Sequence, residues 1–384
     1  MKLNSLYLRD NLKNITIQET TFEDLTMFVG TSGAGKTTIM NAIYTVIHIA
    51  KGNSSPGDHW NISFVDNSGR QIQWEGKFSE SIELDQSDED DEVEEEVSIV
   101  ENELLHIDGE LVFERDANSI VYNGVTLPLI DKYKSLIYLM RDDVLIEVVF
   151  DSLSSVKIAS NNSREFTNNT SLQLVRNETC EKNEKLFKEE SLNIKQFSEL
   201  FPELTCREKI YYSYNSDRSS FDEFEFLYTS IFTNVEKIIV EKISDIRTRT
   251  NRSAIFIRLE LIDGTIIDQG AMSSGMFKAL TILAELMFSS DKSILVVDEI
   301  ENSLGVNCLP DILDLIQSIH SQCILSTHHP KIVNNIPPSK WRIVSRKGGV
   351  ISTYKAESIK KSSSNHDKFL QLINSEIYLA GAYG

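Results

Sequence analysis

Four short clusters hold residue types that can do chemistry at the spacing the chemistry needs. The first, Gly30-Thr31-Ser32-Gly33-Ala34-Gly35-Lys36-Thr37, fits G-x-x-x-x-G-K-[ST] and runs on into Thr38. Glycines let successive backbone N–H groups curl round a phosphate, and a helix beginning there adds the positive end of its dipole. On this reading Gly30, Ser32, Gly33, Gly35 and Thr38 line a phosphate cradle. Lys36 reaches the β- and γ-phosphates of a nucleotide, and Thr37 ligates Mg2+. The competing reading is a glycine-rich turn with a chance lysine.

The second cluster ends the apolar run ILVV in Asp298-Glu299. A carboxylate at the tip of a buried strand emerges at the mouth of a sheet, where ligands bind. Asp298 is the candidate for the Mg2+ shell and Glu299 for orienting or activating a water. In the third, ILSTHHP, His328 follows the strand end and is placed to hydrogen-bond a γ-phosphate or its water, while His329 precedes Pro330 and is biased to extended backbone. The fourth, Ser273-Ser274-Gly275 before an apolar-faced helix, reads equally as a helix cap and as an anion site.

Elements able to position these clusters are visible around them. LTMFVG reads as a strand into the glycine loop, and Ile39, Met40, Ile43, Val46 and Ile47 recur at helical spacing after it. WNISFVDNSGRQIQWEGKF carries a hairpin signal at its Asn-Ser-Gly turn. Residues 1–158 are expected to form one half of a nucleotide-binding head, 159–245 a helical insertion and 246–384 the other half. No sustained heptad marks a long coiled coil.

The net charge of −20 is uneven: residues 83–103 carry twelve acids and no Lys or Arg, leaving −8 for the rest. That density reads as a solvated loop rather than a metal cage. Residues 331–361 hold eight Lys/Arg against Glu357 alone, and Arg247 and Arg249 alternate on a possible strand face, so nucleic-acid contact stays open beside an ordinary exposed strand. Four cysteines without a C-x-x-C pair argue against a zinc or disulfide frame. With no apolar run of membrane-spanning length and no secretory leader pattern, a cytoplasmic location is expected.

The motifs GTSGAGKTT, MSSGMFKAL, LVVDEIENSL and STHHP together resemble the ABC-type ATPase heads of RecF, SMC and OLD proteins. They are similar in particular to the AAA family ATPases of anti-phage systems such as Septu, PARIS and retron-linked modules. The resemblance implies an α/β head with a mixed, mostly parallel core sheet, an antiparallel β subdomain and an inserted helical lobe. It also implies Mg2+-dependent ATP hydrolysis in a head-to-head dimer, where Ser274 and Gly275 close over ATP held by the other subunit. Asn302 to Leu304 would match the loop that crosses the interface, although relatives continue with Leu-His-Pro where this chain has Gly305-Val306. The glutamine that usually completes the Mg2+ site has no counterpart, since Gln71 and Gln73 sit in the hairpin. OLD-type proteins append a nuclease, and about 55 residues follow His328 here, so a nuclease or toxin effector is expected on a separate chain. A RecF-like repair ATPase and an ATP-bound scaffold with little turnover are the alternatives.

Overall fold

The computed structural model describes residues 1–80, 98–159, 173–244, 251–302, 304, 308–356, 365–375 and 378. The chain divides into two compact units, Met1–Val156 with Ile324–Gly384, and Lys157–Cys323.

In the first unit β1 (Lys2–Asp10), β2 (Ile15–Thr21) and β3 (Leu25–Val29) lead into α1 (Lys36–Ala50). There follow β4 (Asp58–Val65), β5 (Gln71–Phe78), β6 (Val100–Ile107), β7 (Glu110–Arg115), β8 (Ile120–Tyr122) and β9 (Val125–Leu127), then α2 (Leu136–Leu139) and α3 (Val144–Ser154). The second unit holds β10 (Val156–Ala159), β11 (Gln173–Arg176) and four helices, α4 (Asn177–Glu189), α5 (Ile194–Leu200), α6 (Cys206–Ser216) and α7 (Arg218–Ile231). It continues with β12 (Val235–Ser244), β13 (Arg252–Leu261), β14 (Ile266–Asp268), α8 (Ser274–Phe288), β15 (Ile294–Val297) and α9 (Leu309–Ser318). The chain re-enters the first unit along β16 (Gln322–Thr327) and adds α10 (Pro330–Asn335), β17 (Trp341–Lys347), β18 (Val350–Lys355) and α11 (Asn365–Ile373).

The first unit is a mixed sheet in the order β16-β3-β17-β18-β2-β1-β4-β5-β6-β7-β8-β9. Parallel pairings join β3 to β17 and β18 to β2, and the hairpins from β4 to β9 pair antiparallel. Every residue of β3 is buried, as a strand covered on both faces requires. Strand β4 instead alternates: Trp60, Ile62 and Phe64 are buried and His59, Asn61 and Ser63 are half-buried, so one face makes the core. Each such large apolar side chain contributes roughly 1.5–3 kcal/mol on burial. The sequence expectation of an α/β fold with a mixed sheet and an antiparallel β portion holds.

The second unit combines β10 beside β15 with a separate sheet β11-β13-β12, β14 pairing with β13. Residues 159–245 include α4 to α7, and they also contribute β11 and β12 and share a unit with 246–323. The Glu and Lys of VEKIIVEKIS favour helix in isolation. Pairing with β13 from Val235↔Leu261 to Ser244↔Ser253 overrides that preference, burying Ile238 and Val240 at alternate positions.

The acidic run also ends differently from the expected solvated loop. Residues 83–96 lie outside the described residues, but Glu101 and Glu103 belong to β6. Glu103 is fully buried and accepts hydrogen bonds from Trp74 Nε1 (2.9 Å), Ser135 Oγ (2.6 Å) and Leu136 N (2.8 Å). Burial pushes its carboxyl above the usual range, the three donors and Arg115 opposing. All four cysteines are buried and none forms a disulfide. Among the described residues no helix is long and apolar enough to cross a membrane.

Candidate functional site

The glycine loop lies between β3 and α1. Gly33 (φ 82°) and Gly35 (φ 104°) adopt left-handed backbone, which a side chain would disfavour. A Cβ on Gly35 would also stand 2.6 Å from Ile351 Cδ1, and one on Gly30 would stand 2.8 Å from the Val344 carbonyl oxygen. The loop is therefore seated against β17 and β18 with no room for side chains at these two positions. Helix α1 starts at Lys36 with Gly35 at the N-cap and no side-chain cap hydrogen bond. Ser32, Gly33 and Thr37 are exposed and Thr38 half-buried. Lys36 is itself buried, and its ammonium donates to the carbonyls of Gly30 (2.9 Å) and Thr31 (3.0 Å), folding over the start of the loop. The face expected for α1 is the buried one: Ile39, Met40, Ile43, Val46 and Ile47 all pack inward.

His328 stands in the same unit, exposed just past the fully buried β16, the sheet neighbour of β3. The adjacent His329 has a structural task. Its Nδ1 accepts from Lys331 N (3.2 Å) and caps α10, while its own N–H donates to Thr327 Oγ1 (3.0 Å).

The second unit carries the carboxylates. Strand β15 is buried throughout and ends in Asp298, also buried, whose N–H donates to the Ala159 carbonyl (3.1 Å). Glu299 then turns the chain with φ 46°, a left-handed conformation that costs a non-glycine residue roughly 1 kcal/mol or more. Three contacts hold the turn. Asn302 N donates to the Glu299 carbonyl (2.8 Å), the Asn302 amide donates to the Glu299 carboxylate, and Lys278 Nζ donates to the carbonyls of Asn302 (2.6 Å) and Glu299 (3.5 Å). Lys278 projects from α8 and is 3% exposed. Burial pulls its pKa below the ordinary lysine value against the raising effect of Glu301, Asp298 and Glu299. The motif MSSGMFKAL contains this lysine, but nothing in its spacing marked it as buried, one turn past Gly275 on the face that also carries Thr281 and Glu285.

The serine-glycine stretch resolves into two roles for two serines. Ser273 is the N-cap of α8, its Oγ accepting from Met276 N (3.2 Å). Ser274 is the first helical residue and exposed, with Gly275 half-buried next to it. Behind them α8 is held by the helices of its own unit: Tyr228 OH donates to the Met276 carbonyl (3.1 Å), the Arg207 guanidinium lies 5.3 Å from the Phe277 ring centroid, and Lys209 pairs with Glu285 at 2.7 Å with both side chains buried.

These residues suit a nucleotide with Mg2+. Among the described residues no group of three or more His, Cys, Asp or Glu is placed to hold a metal ion. Gln71 and Gln73 lie on β5, in keeping with the hairpin expected for them. Arg247, Arg249, Ser303 and Gly305-Val306 lie outside the described residues. The basic surplus near residues 331–361 is partly consumed internally: Arg342 is buried and donates to Glu23 (2.9 Å), which Lys340 and Lys355 also approach at 3.9 Å.

Residues 150–334 match the family described as AAA domain, putative AbiEii toxin, Type IV TA system. A comparison with curated proteins yields no match. Solved structures similar to the chain include the SmcHead bound to the C-winged helix domain of ScpA (15% identity, 92% of this chain and 97% of that chain covered, TM-score 0.48). Another is the Smc head domain with an extended coiled coil bound to the C-terminal domain of ScpA derived from Pyrococcus furiosus (15%, 92% and 96%, 0.46). A third is the SMC head domain from Thermotoga maritima (14%, 92% and 99%, 0.39). The capped serine-glycine helix and the Asp-Glu strand end fall within the matched residues, and the glycine loop before α1 lies outside them.

Proposed function

We propose that the protein is a Mg2+-dependent ATPase whose heads pair around two ATP molecules and that it regulates a separate nuclease or toxin in anti-phage defence. The observation that carries the nucleotide part is the glycine loop: left-handed Gly33 and Gly35, an uncapped α1 and Lys36 resting on two loop carbonyls. A lysine held this way exchanges carbonyl oxygens for phosphate oxygens by a small rotation. Thr37 and Asp298 would hold Mg2+, which would supply neutralisation of phosphate charge. Glu299 accepts the proton of the attacking water as the bond to the β–γ bridging oxygen breaks, and His328 hydrogen-bonds the transferred group. Exposed Ser274 and half-buried Gly275 act on the nucleotide of a second copy, which makes the closed dimer dependent on ATP. The matched family's description, putative AbiEii toxin of a Type IV TA system, supports a link to a toxin–antitoxin type of system.

The test is phosphate release together with mass in solution. Glu299→Gln is expected to slow hydrolysis by about a thousandfold, in the range for loss of a general base, and to accumulate an ATP-bound dimer. Lys36→Ala is expected to abolish both hydrolysis and dimer. A protein that stays monomeric at saturating ATP overturns the paired-head reading, and phosphate release unaffected by Glu299→Gln overturns the role of that carboxylate.

A further inference from the structure

On the face of β2-β1-β4-β5 opposite the Trp60 and Trp74 core there is a cavity of about 590 Å³, lined by none of the residues the nucleotide reading uses. Its floor is a cross-strand rung. Tyr7 pairs with Asn61 and Asn61 with Glu75, while a bulge between Leu6 and Leu8 sets Tyr7 against the Gln18-Glu19 pair of β2. One carboxylate therefore ends the rung on each side, three strand spacings or about 14 Å apart at the backbone. A second rung runs Ser5, Ser63, Gln73, and His59 closes the cavity beside Tyr7, the rings 5.4 Å apart.

The lining is rich in acceptors. Asn61 spends its amide N–H on Glu75 Oε2 (2.6 Å), which leaves its carbonyl oxygen facing outward as an acceptor. One of the Ser5 and Ser63 hydroxyls donates to the other at 2.8 Å, and both oxygens keep lone pairs to accept with. Burial pulls the His59 imidazole below its ordinary value, with Lys77 and Arg9 adding to the fall and Glu75 opposing it. Among the described lining residues the only formal charges are the carboxylates of Glu19 and Glu75. Arg9 and Lys77 belong to the neighbouring rung with His59, and Lys77 is paired with Glu101 at 2.5 Å.

A neutral sugar brings as many acceptors as donors, and an anion meets two carboxylates. A ligand that is all donor, positively charged at both ends and thin enough to lie along a rung meets neither obstacle. We propose that this cavity binds a linear aliphatic polyamine, its terminal ammonium groups on Glu19 and Glu75 and its middle donors on Asn61 and the serine pair. Tyr7 lies under the chain and supplies a ring face to the cation.

Spermidine is the probe, measured by calorimetry on the full chain near physiological ionic strength. The expected result is one saturable site, weaker binding of putrescine, which is too short to reach both carboxylates, and no competition from Mg2+ at matched ionic strength. Glu19→Gln removes an exposed carboxylate that nothing in the fold depends on, and it is expected to weaken spermidine by about tenfold, the loss of one charge-assisted contact; Glu75→Gln is expected to do the same. Binding unchanged in both variants places spermidine on the acidic residues 83–96 and overturns the site, as does the absence of saturable binding. Neither result bears on hydrolysis, so the proposal stands or falls apart from the ATPase reading.

Discussion

The two units host their working charges in opposite ways. In the first, Lys36 rests on backbone carbonyls inside a loop whose unusual conformations fall on glycines, which adopt them without steric cost. In the second, the left-handed position falls on Glu299, and a buried lysine and an asparagine are used to keep it there. A phosphate cradle needs only backbone donors, so glycine suffices. A position that must present a carboxylate has to tolerate the strain and be braced. The second unit accordingly contains the more demanding buried electrostatics.

The largest expected effect tests that bracing at its base. Lys209 and Glu285 join α6 to α8 at 2.7 Å, and Ser289 Oγ donates to the same Glu285 oxygen at 2.5 Å. Burial raises the Glu285 carboxyl, but the Lys209 ammonium outweighs it and holds the group below its ordinary value. Lys209→Met leaves a buried carboxylate without its cation and is expected to cost about 3–5 kcal/mol in denaturant unfolding. Lys209→Met with Glu285→Leu is expected to recover most of that loss. A single variant within about 1 kcal/mol of the parent would show that the pair is not what ties the helices to α8.

Next in size is the clamp itself. Lys278→Met keeps the length of the side chain but releases the carbonyls of Asn302 and Glu299. Because Lys278 positions Glu299 rather than touching nucleotide, kcat is expected to fall about tenfold or more while KM for ATP stays put, with partial rescue by Lys278→Arg. Equal changes in kcat and KM would assign it a binding role instead.

How far these features could be read from the sequence follows from what each depends on. The glycine loop, the buried face of α1 and the all-apolar β15 and β16 are local patterns, and the structure forms each as read. Lys278 and Glu103 were not legible. A lysine on a helix normally snorkels to water, and a glutamate at the end of an acidic run normally stays there; only the carbonyls of residues 299 and 302, or Trp74 and Ser135, make burial tolerable. For the same reason β12 was hidden, because its partner β13 supplies the pattern that its own Glu and Lys residues obscure.

The first unit gives the comparison a pH axis. Asp58 is buried with only Ser55 Oγ donating to it (2.5 Å), and burial, with Asp10 nearby, lifts its pKa to about 6. A carboxyl whose folded pKa lies above its unfolded one contributes stability that is complete below about pH 4 and is lost as pH rises through about 6. Glu285, held low by its lysine, behaves oppositely: its contribution is present above the ordinary glutamate value and is lost as pH falls. Asp58→Asn is therefore expected to stabilise the protein at pH 8 by about 1.4 kcal/mol relative to its effect at pH 5. Parallel stability–pH curves for parent and variant would remove Asp58 from the account.

The smallest expected effect isolates the strain at Glu299 from its chemistry. Glu299→Gly and Glu299→Ala both remove the carboxylate and both should stop hydrolysis, so activity cannot separate them. Stability can. At φ 46° alanine keeps the Cβ that makes left-handed backbone unfavourable, whereas glycine loses the steric penalty and gives back part of the gain as extra freedom in the unfolded chain. Glycine is expected to be the more stable by about 1 kcal/mol. If alanine equals or exceeds it, the turn after Asp298 relaxes to ordinary backbone once the side chain is gone. The brace from Lys278 would then hold a carboxylate in place rather than oppose a strained backbone, and the contrast between a glycine-built cradle and a forced carboxylate turn would lose its energetic basis.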